Sequence, residues 1–177
     1  MTTLFSEKYR KKKIEYYYKK YRQILYYIAF KILKNPTEAE DAVQEAFIRI
    51  YEHIDLVKDD NPHKITSYFI TIVKHIAIDM IRRKKFEFVE ESELIEKQAV
   101  IEMPEIPDLD PSFSQAFSKL PTIYVEVLKL KYYNDFSNKD ISRILKISEE
   151  NVRQRLSRAK KKLVNFIEEG EKNEKNR

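Results

Sequence analysis

The sequence predicts an all-α fold of two small helical domains joined by an acidic linker. Three observations predict it: apolar residues recur at three- and four-residue spacing in both halves, charge falls into basic, acidic and basic blocks, and the 177 residues include one glycine.

That glycine, Gly170, sits in a polar tail, so loops that need glycine's backbone freedom to cradle phosphates or dinucleotides have nothing to build them. The absence of cysteine removes disulfides, thiol nucleophiles and thiolate metal sites, and suits a reducing cytosol. His53, His63 and His75 are too scattered for a zinc or nucleophile pattern. No catalytic residue, metal ligand or cofactor is therefore expected. Residues Met1 to Lys13 lack the apolar stretch of a signal peptide, and the run Ile24 to Phe30 is too short to span a bilayer. A cytoplasmic protein without membrane insertion is the expectation, and its net charge of +5 favours a polyanionic partner.

The charge distribution sets the domain boundaries. Residues 1–86 carry 18 basic and 11 acidic side chains, residues 87–110 carry 1 and 9, and residues 111–177 carry 15 and 9. The middle block holds Pro104 and Pro107 and no sustained helical period, which predicts a linker with one short helical piece around Ser92 to Val100. Composition alone favours a solvated, self-repelling spacer.

In the first block, helical periodicity runs from about Ser6 to Leu33, as one helix or two, with Ile24, Leu25, Ile28, Ala29, Ile32 and Leu33 on one face. Asn35-Pro36 stops it. Thr37 to Glu40 has capping-box spacing, and the helix it opens runs to about Asp55 with the core stripe Val43, Phe47, Ile50 and Ile54. Asp41, Gln44, Glu45 and Ile48 form a neighbouring stripe that points elsewhere. An isoleucine among acidic and amide groups is either a lone exposed residue or the centre of a partner-binding face. After the polar loop Leu56 to Lys64, a helix over Thr66 to Lys85 turns Phe69, Ile72, Val73, Ile76 and Met80 inward. Thr71, Lys74, His75, Arg82 and Lys85 are placed opposite, beside Tyr68 and Phe86, where they form either a solvated charged face or a surface for exposed bases and phosphates. The tyrosines Tyr9, Tyr16, Tyr17, Tyr18, Tyr21, Tyr26 and Tyr27, interleaved with Lys11 to Lys13, Lys19, Lys20 and Arg22, admit the same nucleic-acid reading, but helical tyrosines are expected to bury their rings and wet their hydroxyls.

Ser137 to Leu163 is the sharpest local pattern. Ser137 caps a short helix with the apolar face Ile141, Ile144 and Leu145; Ile147 fills a tight turn, and Ser148 caps the next helix. That second helix buries Val152, Leu156, Ala159, Leu163 and Phe166 and turns Glu150, Arg153, Gln154, Ser157, Arg158 and Lys161 outward. Arginine and glutamine can form paired hydrogen bonds with guanine and adenine edges, so Arg153, Gln154 and Arg158 are candidate base readers and Lys160 to Lys162 candidate phosphate contacts. The charge gradient along the helix also has a structural account in the macrodipole, but cap, turn and period together specify a helix-turn-helix. Pro111 to Lys119 and Pro121 to Tyr133 read as supporting helices.

Together these blocks resemble the extracytoplasmic-function group of the sigma-70 family over roughly Tyr21–Phe86 and Ser112–Phe166. Glu40-Asp41-Ala42-Val43-Gln44-Glu45-Ala46-Phe47 is similar to the family's polymerase-docking helix, which implies polymerase-binding roles for Asp41, Gln44, Glu45 and Ile48. Tyr68 to Arg83 resembles the minus-ten-element helix, implying DNA contacts from Tyr68, Lys74, His75, Arg82 and Arg83. Tyr68 stands where the family usually has tryptophan, and His75 where asparagine is frequent. Asp55 to Lys64 corresponds to the segment that captures a flipped non-template base. Leu120 to Leu163 resembles the minus-thirty-five-binding domain, implying DNA contacts from Arg153, Gln154, Ser157, Arg158 and Lys161. Ser142 and Lys146 replace the usual alanine and glycine, so the turn is expected to be entered without a left-handed residue.

The resemblance implies a non-enzymatic sigma factor. Its first domain (residues 1–86) docks on core RNA polymerase and holds the melted non-template strand of promoter DNA, its acidic linker (87–110) threads the polymerase cleft, and its last domain (111–177) reads duplex promoter DNA. The family commonly adds an anti-sigma factor as a partner that clamps both domains. A conventional helix-turn-helix regulator with a dimerising or sensing N-terminal domain is the alternative.

Overall fold

The computed structural model describes residues 2–58, 61–88 and 111–175, with backbone alone at 2–5, 85–88, 111–112 and 171–175. The expected helical piece Ser92 to Val100 lies outside the described residues. Every described element is helical, and the chain divides into two compact units between Glu90 and Glu91.

In the first unit, α1 (Thr2–Leu33) is one unbroken helix. It ends at Lys34, which takes a left-handed φ of 55°. The next helix, α2 (Pro36–Glu52), is capped by Asn35 and not by Thr37: the Asn35 Oδ1 accepts the Glu38 N–H at 3.1 Å. Pro36 decides this. It occupies the first helical position, where its missing N–H costs nothing, and so moves the start two residues upstream. The helix ends at Glu52, short of the expected Asp55, and a 3₁₀ turn over Ile54–Leu56 follows. The same Asn-Pro device opens α3 (Pro62–Phe88) ahead of the expected Thr66, with the Asn61 Oδ1 accepting the His63 N–H at 2.9 Å and the Lys64 N–H at 3.3 Å.

Leu25, Ala29, Val43, Phe47, Ile50, Ile54, Phe69, Ile72, Val73 and Ile76 form the core of this unit, and Met80 is half-buried. Tyr17 and Tyr21 both set ring edges against Phe69 with centroids 5.1 Å apart, a geometry that contributes about 0.5–1.5 kcal/mol per pair beyond area burial. The expectation that the tyrosines bury their rings holds for these two and fails for Tyr9, Tyr16 and Tyr27, which stay exposed.

The second unit packs α4 (Pro111–Ser118), α5 (Thr122–Leu128) and α6 (Asn138–Leu145) against α7 (Glu149–Lys175). Ala116, Val127, Leu130, Ile141, Ile144, Leu145, Val152 and Ala159 fill its core, while Leu163 and Phe166 are half-buried. Beyond Leu128 the fifth helix widens into a π turn over Lys129–Tyr133, closed by the Asn134 N–H on the Lys129 carbonyl at 2.9 Å. This turn sets Tyr132 beside α7, where the Lys160 ammonium lies 5.2 Å from its ring centroid.

Candidate nucleic-acid interface and docking face

The α6–α7 pair has the geometry its caps announce. The Ser137 Oγ accepts the Asp140 N–H at 3.1 Å, and the Ser148 Oγ accepts the Asn151 N–H at 3.1 Å. Between them Lys146 adopts a left-handed conformation, φ 53° and ψ 42°, so the expected turn without a left-handed residue is corrected. The physical reason lies in what the conformation satisfies. With Lys146 left-handed, the Ile147 N–H reaches the Ser142 carbonyl at 3.1 Å and the Ser142 Oγ donates to the Ile147 carbonyl at 2.7 Å. Serine in place of alanine thus supplies a bond that holds the turn without glycine.

Arg153, Gln154, Ser157, Arg158 and Lys161 all lie exposed on one side of α7, as expected. In the free protein Arg153 is not loose: its Nε and Nη2 donate to Glu150 Oε2 at 3.1 and 2.6 Å, and the Gln154 Nε2 donates to Glu150 Oε1 at 3.3 Å. These partners hold the Glu150 carboxyl below the usual carboxylate range. A groove alongside is lined by Lys131, Tyr132, Asn138, Arg153, Ser157 and Lys160. Lys131 and Tyr132 escaped the sequence reading because a π turn, which has no marked residue pattern, carries them there.

In the first unit, α2 presents Asp41, Gln44 and Ile48 to solvent, with Ile48 60% exposed. Glu45 shares the row but has a second task. Its Oε1 accepts from Arg49 Nη2 at 2.5 Å, and Arg49 is itself buried. Among the described residues the Nε and Nη1 of Arg49 have no hydrogen-bond partner, so Glu45 accepts this buried cation's hydrogen bond while the Asp79 carboxylate supplies a second negative charge nearby.

The expected basic face of α3 needs correction. Tyr68, Lys74 and His75 are only 1%, 9% and 4% exposed, and Thr71 is buried with them. From Ile65 to Ala77 only Thr66 escapes burial, so the polar side formed by Ser67, Thr71, Lys74 and His75 is covered along with the apolar stripe. Arg82 is half-buried and Arg83 and Lys84 are exposed, so the accessible cations gather at the far end of α3. They are linked to the buried part: His75 Nε2 lies 3.2 Å from Asp79 Oδ2, and Arg82 Nη1 lies 3.6 Å from Asp79 Oδ1. Burial works to raise the Asp79 pKa. The hydrogen bond and charge of His75, with the charges of Arg82 and Arg49, outweigh it, and the carboxyl sits below its ordinary value.

Among the described residues no cluster of histidines and carboxylates is arranged to hold a metal, and no helix is long and apolar enough to cross a membrane. Residues 17–87 match sigma-70 region 2, and residues 112–163 match sigma-70 region 4. The chain is similar to the ECF RNA polymerase sigma factor SigW of Bacillus subtilis, at 30% identity over 156 residues, covering 81% of this chain and 82% of SigW.

The chain belongs to the extracytoplasmic-function group of the sigma-70 family.

SigM of Bacillus subtilis is 29% identical over 163 residues, covering 89% of this sigma factor and 96% of SigM. The solved structure of sigma factor RpoE with the anti-sigma factor NepR from Bartonella quintana matches 89% of this chain and 98% of that one, at 19% identity and a TM-score of 0.44. As a sigma factor the protein works with core RNA polymerase in promoter-specific transcription initiation.

Proposed function

We propose that this sigma factor divides promoter recognition between its two units and supplies no chemistry of its own, acting in the cytoplasm where polymerase and promoter meet. The exposed row Asp41, Gln44 and Ile48, with Glu45 at its edge, docks on core polymerase. The exposed end of α3, Arg82, Arg83 and Lys84, holds the backbone of the melted minus-ten strand, and the Asp79 carboxylate orients Arg82 for that contact. Lys74, His75 and Tyr68 act from inside, fixing α3. In the second unit Arg153, Gln154 and Arg158 read base edges of the minus-thirty-five duplex, with Ser157 and Lys161 on phosphates.

The observation that carries this reading is the outward row on α7, whose side chains are of the types that read the major groove and sit on the second helix of a capped helix-turn-helix. The test is co-elution of the purified protein with core polymerase and initiation from a template library, with Asp41→Ala/Glu45→Ala as control. Specific transcripts lost in that variant support the reading. Tight duplex binding without polymerase association would point instead to a conventional helix-turn-helix regulator.

A further inference from the structure

The outer side of α1 carries a regular ladder that the roles above do not use. Tyr9, Lys13, Tyr16, Lys20, Tyr27 and Lys31 follow at spacings of four, three, four, seven and four residues, which places them on one row of the helix. Tyr9, Tyr16 and Tyr27 are 61%, 57% and 56% exposed, although a helical tyrosine of a folded domain ordinarily covers most of its ring. Each ring has a lysine ammonium close by: Lys13 at 5.9 Å from the Tyr9 centroid, Lys20 at 5.5 Å from Tyr16 and Lys31 at 4.7 Å from Tyr27.

No acid of α1 falls within the row. The two acids of the helix, Glu7 and Glu15, pair with Lys11 and Lys19, and at about 100° per residue both stand about 120° or more away round the helix. A row that alternates exposed aromatic rings with ammonium groups, with both acids of α1 set off it, suits a polyanion with free aromatic faces. Single-stranded nucleic acid is that ligand: its phosphates pair with the lysines and its unstacked bases lie on the rings, whereas a duplex keeps its bases stacked and offers the rings nothing.

The row begins at the other end of α3 from Arg82, Arg83 and Lys84, about 30 Å of helix away. The Lys13 Nζ donates to the Val57 carbonyl at 2.8 Å, which puts the Tyr9–Tyr16 end of the ladder against the segment leading into the loop before α3. We propose that the Tyr9–Lys31 row of α1 is a second single-strand contact, which holds promoter DNA melted beyond the part bound at α3. This rests on the reading that the first unit holds melted promoter DNA.

The experiment measures open-complex lifetime with holoenzyme on fork-junction DNA whose single strand is either full-length or trimmed on either side of the minus-ten element. The proteins compared are wild type, Tyr9→Ala/Tyr16→Ala and Tyr9→Phe/Tyr16→Phe. One lost stacking contact costs on the order of tenfold in binding, so the alanine pair is expected to shorten the lifetime by about that factor or more on the full strand. It should have little effect on the trimmed one, and the phenylalanine pair should keep the wild-type lifetime. Equal lifetimes for the alanine pair and wild type on the full strand would overturn the proposal, as would a loss of equal size on both templates. If wild-type holoenzyme opens no promoter, the parent reading fails and takes this one with it.

Discussion

Arg10 donates from Nη2 to the Tyr51 carbonyl at 3.0 Å, joining an early turn of α1 to the last turn of α2 across 41 residues of sequence. The last carbonyls of a helix have no partner within it, and here a side chain from another helix supplies one. The same guanidinium lies 3.5 Å from Asp55 through Nη1 and 5.1 Å from the centroid of the Tyr51 ring. Arg10→Ala should therefore cost about 1.5–3 kcal/mol, the range for a charged hydrogen bond. Its mark should be local: faster hydrogen exchange at the Leu56 and Val57 amides, which close the 3₁₀ turn on His53 and Ile54. Unchanged exchange there would show that Arg10 does not brace this segment.

Glu45 and Ile48 should respond differently to substitution although they share a row. Ile48 is exposed, so Ile48→Asp should abolish co-elution with core polymerase and leave the melting temperature where it was. Glu45→Ala removes the anchor of buried Arg49 and should cost about 1–2 kcal/mol of stability, a half-exposed version of a broken buried pair. Chemical denaturation beside the polymerase assay separates the two effects, and a Glu45→Ala protein as stable as wild type would disprove the anchoring role.

Lys146 holds a conformation that a side chain with a Cβ adopts at a cost of about 1–2 kcal/mol. Lys146→Gly relieves that cost but gives the unfolded chain more freedom, for a net gain of about 0.5–1 kcal/mol. A rise in the melting temperature of the second unit is expected, and a fall would mean that the lysine side chain makes a compensating contact.

Arg153→Ala should relax base choice at one position of the upstream element by about 1–3 kcal/mol. Lys161→Ala should weaken all sequences alike and lower the dependence of log affinity on log salt by about one. Binding-site selection and salt titration report the two, and an unchanged preference for Arg153→Ala would remove it from the base-reading set.

The Asp79 carboxyl sits below its ordinary value of 3.8 in the folded protein, so folding is favoured by its ionised form. That contribution is complete above the unfolded pKa, near pH 4, and is lost as the pH falls through the lower folded value. Stability measured between pH 5 and pH 2 should fall more steeply for wild type than for Asp79→Asn. Parallel curves would mean that His75 and Arg82 do not favour the carboxylate.

Much of this architecture is legible from spacing. Val43, Phe47, Ile50 and Ile54 repeat at helical intervals and are buried, and Ser137 and Ser148 cap the helices they were expected to cap. What stayed hidden depended on competition between neighbours. Thr37 has the right spacing for a cap, but Pro36 hands that task to Asn35. On α3 the apolar stripe marks one inner side, yet Ser67, Thr71, Lys74 and His75 on the opposite, polar side are buried as well, which helical period alone does not foretell. Tyrosine fits both core and surface, so its pattern alone does not separate Tyr17 and Tyr21 from Tyr16 and Tyr27. Lys146 could be placed only once Ser142 was seen bonding across the turn.

Glu150 gives the second unit a property of search as well as of recognition. Through two hydrogen bonds to Arg153 and a third to Gln154 it offsets part of the attraction of an exposed cation before any DNA arrives. A phosphate on non-target DNA must displace that carboxylate to gain one charged contact, while the correct base edge offers a paired set in exchange. On the proposed base-reading role of Arg153, this carboxylate would lower the hold of the helix on non-target DNA relative to its target.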